Sequence, residues 1–429
     1  MLNKVKEKLV SLGCTIWELT ETERHGWEFY FVRHKLDQNR VVMVSSLDVK
    51  LYQPIEEGKF LGSASASLSP TASDEEIDKT LRDLKYQASL VKNPAYTLAD
   101  KPITIPDKVE TVDVEAIAGS FIRAMQAIPE TEGEDVNSYE IFVNEMRRHT
   151  LNSNGVEYTC VYPSSMIEVV VNARRDGHEI ELYRNFTSGT CDEAKLASDI
   201  ADALRFGRDR LSAVPTPKLG SGAVLFSTQD SQEIYEYFLM RTNASMKVRG
   251  ISDFEIGKPV CASFTGDRVS MEILPELPNS SKNFPVDREG NVVSQRFLIR
   301  GGVCESFWGD RQFSQYLGLT ESSLVSNVRV SGGEKTEKEL REGDYLEVVE
   351  FSDFQVDPMG GDIAGEIRLG YLHRGGKVTV VTGGSVSGSM AEAAGSMRFS
   401  KETKQYDSVL IPSVTKLEGL RITGIAELE

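Results

Sequence analysis

The sequence predicts an α+β chain, in which two N-terminal units of helix and antiparallel strands precede a mainly antiparallel β C-terminal domain. Three observations predict it. The order helix, strands, helix is written twice before residue 215. Beyond Pro217 helical periodicity fades, and short alternating runs separated by glycines take over. At 429 residues the chain is too long for one ordinary core and suits about three domains. We place these at 1–105, 106–215 and 216–429.

Residues 3–12 form the first helix, with Val5, Leu9 and Val10 on one side. Strands follow at 26–33, rich in aromatics, at 40–51, and at 60–68, where small residues alternate. Ser73 and the acids after it open an amphipathic helix through Ile77, Leu81, Leu84 and Ala88. Residues 94–106 read as a linker. The second unit begins with a helix over 113–128 that sets Ile117, Phe121 and Met125 in register. Strands are expected at 138–144, 156–162, 166–172 and 179–186. Asp192 then caps a helix through Leu196, Ile200, Leu204 and Leu211.

The third domain opens on a strand at 223–226 and a helix. Asp230 is its expected N-cap, with Glu233 in the capping-box position. Ile234, Tyr235, Phe238, Leu239 and Met246 share a face, and Gly250 is the expected stop. A long loop covers 275–290, and strands are expected at 291–300, 303–308 and 345–351. A hairpin at 368–381 turns on Arg374-Gly375-Gly376, and 409–425 alternates to the end.

Composition excludes several classes. Hydrophobic residues are 40% and charged residues 26%, as in a soluble globular chain. No apolar run reaches the roughly 18–20 residues of a membrane helix. The start is an amphipathic helix and not a signal peptide. The five cysteines are scattered without C-x-x-C spacing, which suits a reducing cytoplasm. The net charge of −17 disfavours direct nucleic-acid binding; Arg147-Arg148 and Arg174-Arg175 read as solvated pairs at strand ends.

Tests for chemistry give mostly negative results. A zinc peptidase helix needs two His on one face beside a Glu. His178-Glu179 lacks the second His and lies in a strand-like run. The sequence carries no positive metal signal and no cofactor fingerprint: Gly220-Ser221-Gly222 precedes a strand, and the 370–377 stretch reads as a hairpin, not a phosphate loop. G-x-S-x-G fails at Val386. Two glycine-dense stretches remain, 357–365 and 383–389. Either would let a peptide backbone approach closely, although tight turns between strands explain both.

Several stretches together resemble the TldD/PmbA family, and its PmbA (TldE) branch. They are Gly62 to Ser67 followed by Leu68-Ser69-Pro70 and a helix; Leu151-Asn152-Ser153-Asn154-Gly155; and Val286-Asp287-Arg288-Glu289-Gly290 with Gln295-Arg296. Tyr316-Leu317-Gly318-Leu319 and Asp357-Pro358 with Gly361-Asp362 complete the set. The resemblance implies a cytoplasmic two-subunit peptidase system acting on peptides, with an older label of DNA gyrase modulator. It implies that the TldD-type subunit holds zinc through an H-E-x-x-x-H helix and a later Cys. Here the corresponding positions carry Tyr235, Glu236 and Met240, and no Cys follows Cys304. The zinc motif is lost.

The resemblance therefore implies a non-catalytic partner of a TldD-like zinc peptidase, with no cofactor of its own, helping to wall a peptide channel. Asp357, Gly360, Gly361, Asp362 and Gly365 are the candidate channel or interface residues. The alternatives are an independent homodimeric peptidase of the same family and a protein-level modulator of gyrase.

Overall fold

The computed structural model describes residues 1–320 and 322–427. Helix α1 (Leu2–Ser11) leads into three antiparallel strands, β1 (Ile16–Val32), β2 (Lys35–Ile55) and β3 (Phe60–Leu68), and then α2 (Asp74–Ser89). The expected capping box is present: Ser73 accepts from the Glu76 N–H, and Glu76 returns the bond. The second unit comprises α3 (Val114–Gln126), β4 (Glu134–Asn152), β5 (Glu157–Arg175), β6 (His178–Ser188) and α4 (Glu193–Arg210). Asp192 caps α4 by accepting from the Lys195 N–H at 3.0 Å.

The strands of both units lie in one seven-stranded sheet, ordered β3–β2–β1–β4–β5–β6 with the short strand Asn93–Pro94 beyond β3. The seam is β1 against β4, in register from Glu18–Asn152 to Val32–Ser138. Trp17, Leu19 and Phe31 of β1 share one face by the period-2 rule. Trp17 and Leu19 pack in a core that contains Val5, Ile77 and Leu81 of α1 and α2. Phe31 packs in a second core with Phe121, Met125, Leu196 and Ile200 of α3 and α4. One sheet thus carries two helical pairs on one face.

The strands are longer than the hydrophobic pattern indicates. β1 begins ten residues before its expected start, because Glu18 to Arg24 are paired on both sides by β2 and β4. The strands expected at 156–162 and 166–172 are one strand, β5. Pro163 falls inside it but outside the stretch paired with β6, so no bond to that neighbour is lost.

The C-terminal half holds two sheets. Strands β7 (Gly220–Phe226), β11 (Tyr345–Val356), β12 (Asp362–Arg374), β14 (Ser385–Ser389) and β17 (Thr415–Thr423) form a closed ring. It runs β11–β7–β17–β14–β12 and returns to β11. The hairpin partner β13 (Lys377–Thr382) extends β12 through the Gly375-Gly376 turn, both glycines at positive φ. The second sheet contains β8 (Met271–Leu274), β9 (Arg296–Arg300), β10 (Asn327–Val330), β15 (Thr403–Tyr406) and β16 (Val409–Pro412). The alternating run 409–425 is therefore shared between two sheets.

The expected helix over 230–250 is divided. A 3-10 turn, Gln229–Ser231, feeds α5 (Gln232–Arg241), and α6 (Ala244–Val248) follows, ending at Gly250 with φ +73°. The break is chemical. Asn243 leaves the helical region and caps α6 by accepting from the Ser245 N–H at 2.8 Å, while Trp308 Nε1 donates to the Leu239 carbonyl at 2.7 Å. The buried side chains of α5 join those of the ring and of the second sheet in one core: Phe226, Ile234, Phe238, Met271, Val328 and Leu346.

Candidate functional site: the cleft along α5

Helix α5 buries its apolar side and turns Gln232, Glu233, Glu236 and part of Leu239 toward a cleft of about 490 Å³. The other walls are Asn185 of β6, Phe354 of β11, and Met271, Val328 and Val409 of the second sheet. A larger lobe of about 830 Å³ adjoins it, and the two meet at Gln229 and Asp230. Tyr183, Arg184 and Phe186 bring β6 into this lobe, Val349 to Phe351 bring β11, and Thr403, Lys404 and Tyr406 bring β15. Among the named strands β6 pairs only with β5, so it is the edge of its sheet where it borders the cleft.

The cleft is acidic, and its cations are already committed. Arg184 Nη1 donates to Glu350 Oε1 at 2.9 Å. Arg205 pairs with Asp202, Arg341 with Glu337 and Glu347, and Lys404 with Asp199. Among the described residues no basic side chain comes within ion-pair distance of Asp230, Glu233 or Glu236. Burial pushes all three carboxyls above their ordinary range. For Asp230, burial, with Glu350 and Glu233 nearby, pushes it up to about 6 against the weaker pull of Arg184. Glu233 is pulled back by a Val356 backbone hydrogen bond, and Glu236 is raised further by Glu233.

Asp230 is not the helix cap that its position suggests. Ser231 occupies the cap, in helical conformation because the 3-10 turn runs straight into α5, and its hydroxyl bonds back to the Thr228 carbonyl at 2.7 Å. The Asp230 carboxylate is left facing the cleft.

The three positions that the resemblance assigns to a zinc motif divide in two. Tyr235 is fully buried in its bulk, its hydroxyl 2.7 Å from Thr415 Oγ1 and its ring edge-on to Phe399. Tyr235 and Glu236 border the cleft; Met240, one turn on, does not line it. Tyr and Met in place of two His leave Glu236 as the single zinc-competent donor of the set, which does not fit a zinc site. Among the described residues no group of three His, Cys, Asp or Glu side chains is arranged to hold a metal ion. His178 is an exposed strand-end residue. Every cysteine is a free thiol, and burial pushes Cys160, Cys261 and Cys304 to about 11 and Cys191 to about 12. Such thiols are poor nucleophiles at neutral pH.

The residues 357–365 lie at the opposite, C-terminal end of α5, outside the cleft lining. Residues 357–361 form the turn between β11 and β12, and 362–365 open β12. Asp357 accepts from the Met359 and Gly360 N–H groups, and Arg241 Nη1 donates to the Met359 carbonyl at 2.9 Å. Gly361 has φ +80° and lies under Tyr237, and Gly365 lies under Phe351 and Phe354. Asp362 is exposed beside them. The second glycine-dense stretch turns at Gly383-Gly384 and continues as β14; a Cβ on Gly384 would lie 2.2 Å from the Thr423 carbonyl oxygen.

Sequence reasoning missed Arg184, Glu350 and Tyr406, which reach the cleft from three strands far apart in the chain. The signal it had was the spacing of Asp230, Glu233 and Glu236, which puts three acids on one helical side.

Residues 220–424 match the model of the PmbA/TldA metallopeptidase C-terminal domain. No curated protein matches the chain. Its fold is similar to that of TldE from Thermococcus kodakarensis, with a TM-score of 0.75 at 14% identity, covering 98% of this chain and 100% of that one. It is similar to that of a proposed modulator of a DNA gyrase from Thermotoga maritima, with a TM-score of 0.78 at 15% identity, covering 99% and 100%. A proposed modulator of DNA gyrase from Bacteroides thetaiotaomicron matches with a TM-score of 0.78 at 17% identity, covering 99% and 98%. At these identities the likeness is one of fold, and it extends over the whole chain.

Proposed function

Residues 220–424 match the PmbA/TldA metallopeptidase C-terminal domain, and from that premise we propose that the chain is a TldD/PmbA-family protein, the non-catalytic, TldE/PmbA-like subunit of a cytoplasmic zinc-peptidase complex. The observation that carries this reading is the chemistry of α5. Where the family's zinc-holding helix is expected to carry two His, this helix has Tyr235, locked onto Thr415 and Phe399, and Met240. Zinc affinity depends on those donors. The helix serves the core, and the hydrolytic site belongs to a TldD-like partner.

The cleft gives this subunit something to do. Its β6 edge and apolar patches at Phe354, Val328 and Val409 suit an extended, unfolded peptide bound by strand addition. Backbone hydrogen bonds then hold many sequences with little selectivity. The stretch 357–365 remains our candidate for a channel-rim or interface element, exposed at Met359 and Gly360. Among the described residues no helix is long and apolar enough to cross a membrane.

Affinity capture of the tagged chain from its native host tests the reading. A stoichiometric TldD-like chain bearing H-E-x-x-x-H is expected, and capture without one counts against it. Stoichiometric zinc and chelator-sensitive peptide hydrolysis by the isolated chain would favour a homodimeric peptidase instead.

A further inference from the structure

The cleft has a polar junction that strand addition leaves unused. Three acceptors converge on the larger lobe. Among the described residues the half-buried Asp230 carboxylate has no hydrogen bond or ion pair. Glu350 is 8% exposed; its Oε1 accepts from Arg184, and its Oε2 is buried with no partner. The Tyr406 hydroxyl, from β15, is likewise buried with no partner. Burying the Glu350 oxygen and the Tyr406 hydroxyl unpaired costs stability, so their retention needs a reason.

Helix-end electrostatics do not supply it. An acid at a helix N-terminus is ordinarily stabilised in its charged form. Asp230 shows the reverse: burial, with Glu350 and Glu233 nearby, raises its carboxyl. The nearby cation Arg184 is shared between Glu350 and the Tyr183 carbonyl. A ligand with a positive charge and three donors would satisfy the junction: a carboxylate at Asp230, a lone carboxylate oxygen at Glu350 and a phenol oxygen at Tyr406 match a primary ammonium.

We propose that this junction is a subsite for the primary ammonium group of a bound peptide, either its α-amino end or a lysine side chain, held by Asp230 and Glu350. The proposal rests on the cleft being a peptide channel and adds a preference for charge within it. The groups facing Asp230 are Arg184 of β6, Glu350 of β11, Glu233 of α5 and Tyr406 of β15. Asp230 titrates at about 6 and ionises above that pH, so ammonium binding strengthens between pH 5.5 and 7.5.

Fluorescence anisotropy with the full-length chain tests it. The probe is a C-terminally labelled, eight-residue Val/Thr peptide with a free amino end and one lysine. Its companions are the N-acetylated form, the form with norleucine for lysine, and the doubly blocked form. Loss of about tenfold in affinity is expected on blocking one of the two amines, which identifies the source, and the same loss in Asp230→Asn. Asp230→Lys should abolish the preference. If the doubly blocked peptide binds as well as the parent, the ammonium subsite is wrong and the peptide channel stands. If no peptide binds, both fall. Should the variants not fold, the blocked peptides on the unaltered chain still decide.

Discussion

Replacing Asp230 by Asn should make the protein more stable at neutral pH. The fold raises the carboxyl from 3.8 to about 6, so the ionised form is disfavoured in the native state. The sign follows from linkage: the native chain holds a proton that the unfolded chain has released, so stability falls as pH rises from about 3.8 to about 6 and stays lowered above. At about 1.36 kcal/mol per pH unit, the cost at pH 7.5 is at most about 3 kcal/mol. Unfolding a chain of 429 residues releases roughly 2.1 cal/mol/K per residue, so the gain in Tm is about 3 °C. Differential scanning fluorimetry of the two proteins at pH 7.5 and 4.5 measures it. The gain should shrink by about two thirds at the lower pH. An Asn variant that melts lower at pH 7.5, or whose gain is equal at both pH values, refutes the reasoning. A stabilising substitution in a binding cleft is what a site held at the expense of stability predicts.

Two further outcomes follow from the same helix. The double substitution Tyr235→His with Met240→His recreates H-E-x-x-x-H around Glu236, yet metal analysis should find no stoichiometric zinc, because no Cys follows Cys304 to complete the set; one zinc per chain would overturn this. The same variant should melt lower, having lost the Thr415 bond and the Phe399 contact. Gly361→Ala should cost about 1–2 kcal/mol in denaturant unfolding, since φ is +80° and the new methyl would lie 3.2 Å from Tyr237; an unchanged midpoint would show that the turn yields.

The sequence by itself determined what local forces determine. Ser73 with Glu76, and Asp192, announced two helix starts, because a cap is a bond between near neighbours. Phe60 to Leu68 announced a strand by alternation, and the Gly375-Gly376 pair announced a hairpin. The identities of Tyr235 and Met240 on α5 were also legible, since they are read directly from the chain. Tertiary structure decided the rest. It joined two units through β1 and β4, where polar residues between Glu18 and Arg24 carry no strand signal of their own and are held by neighbours on both sides. It closed five strands from both ends of the C-terminal half into a ring. It took Asp230 out of its expected capping role by running a 3-10 turn into α5, and set it beside Glu350 and Tyr406, residues 120 and more positions away in the chain. Caps and periodicities act over a few residues and are written locally. A desolvated carboxylate exists only once distant strands exclude water around it, and that follows from the packing alone.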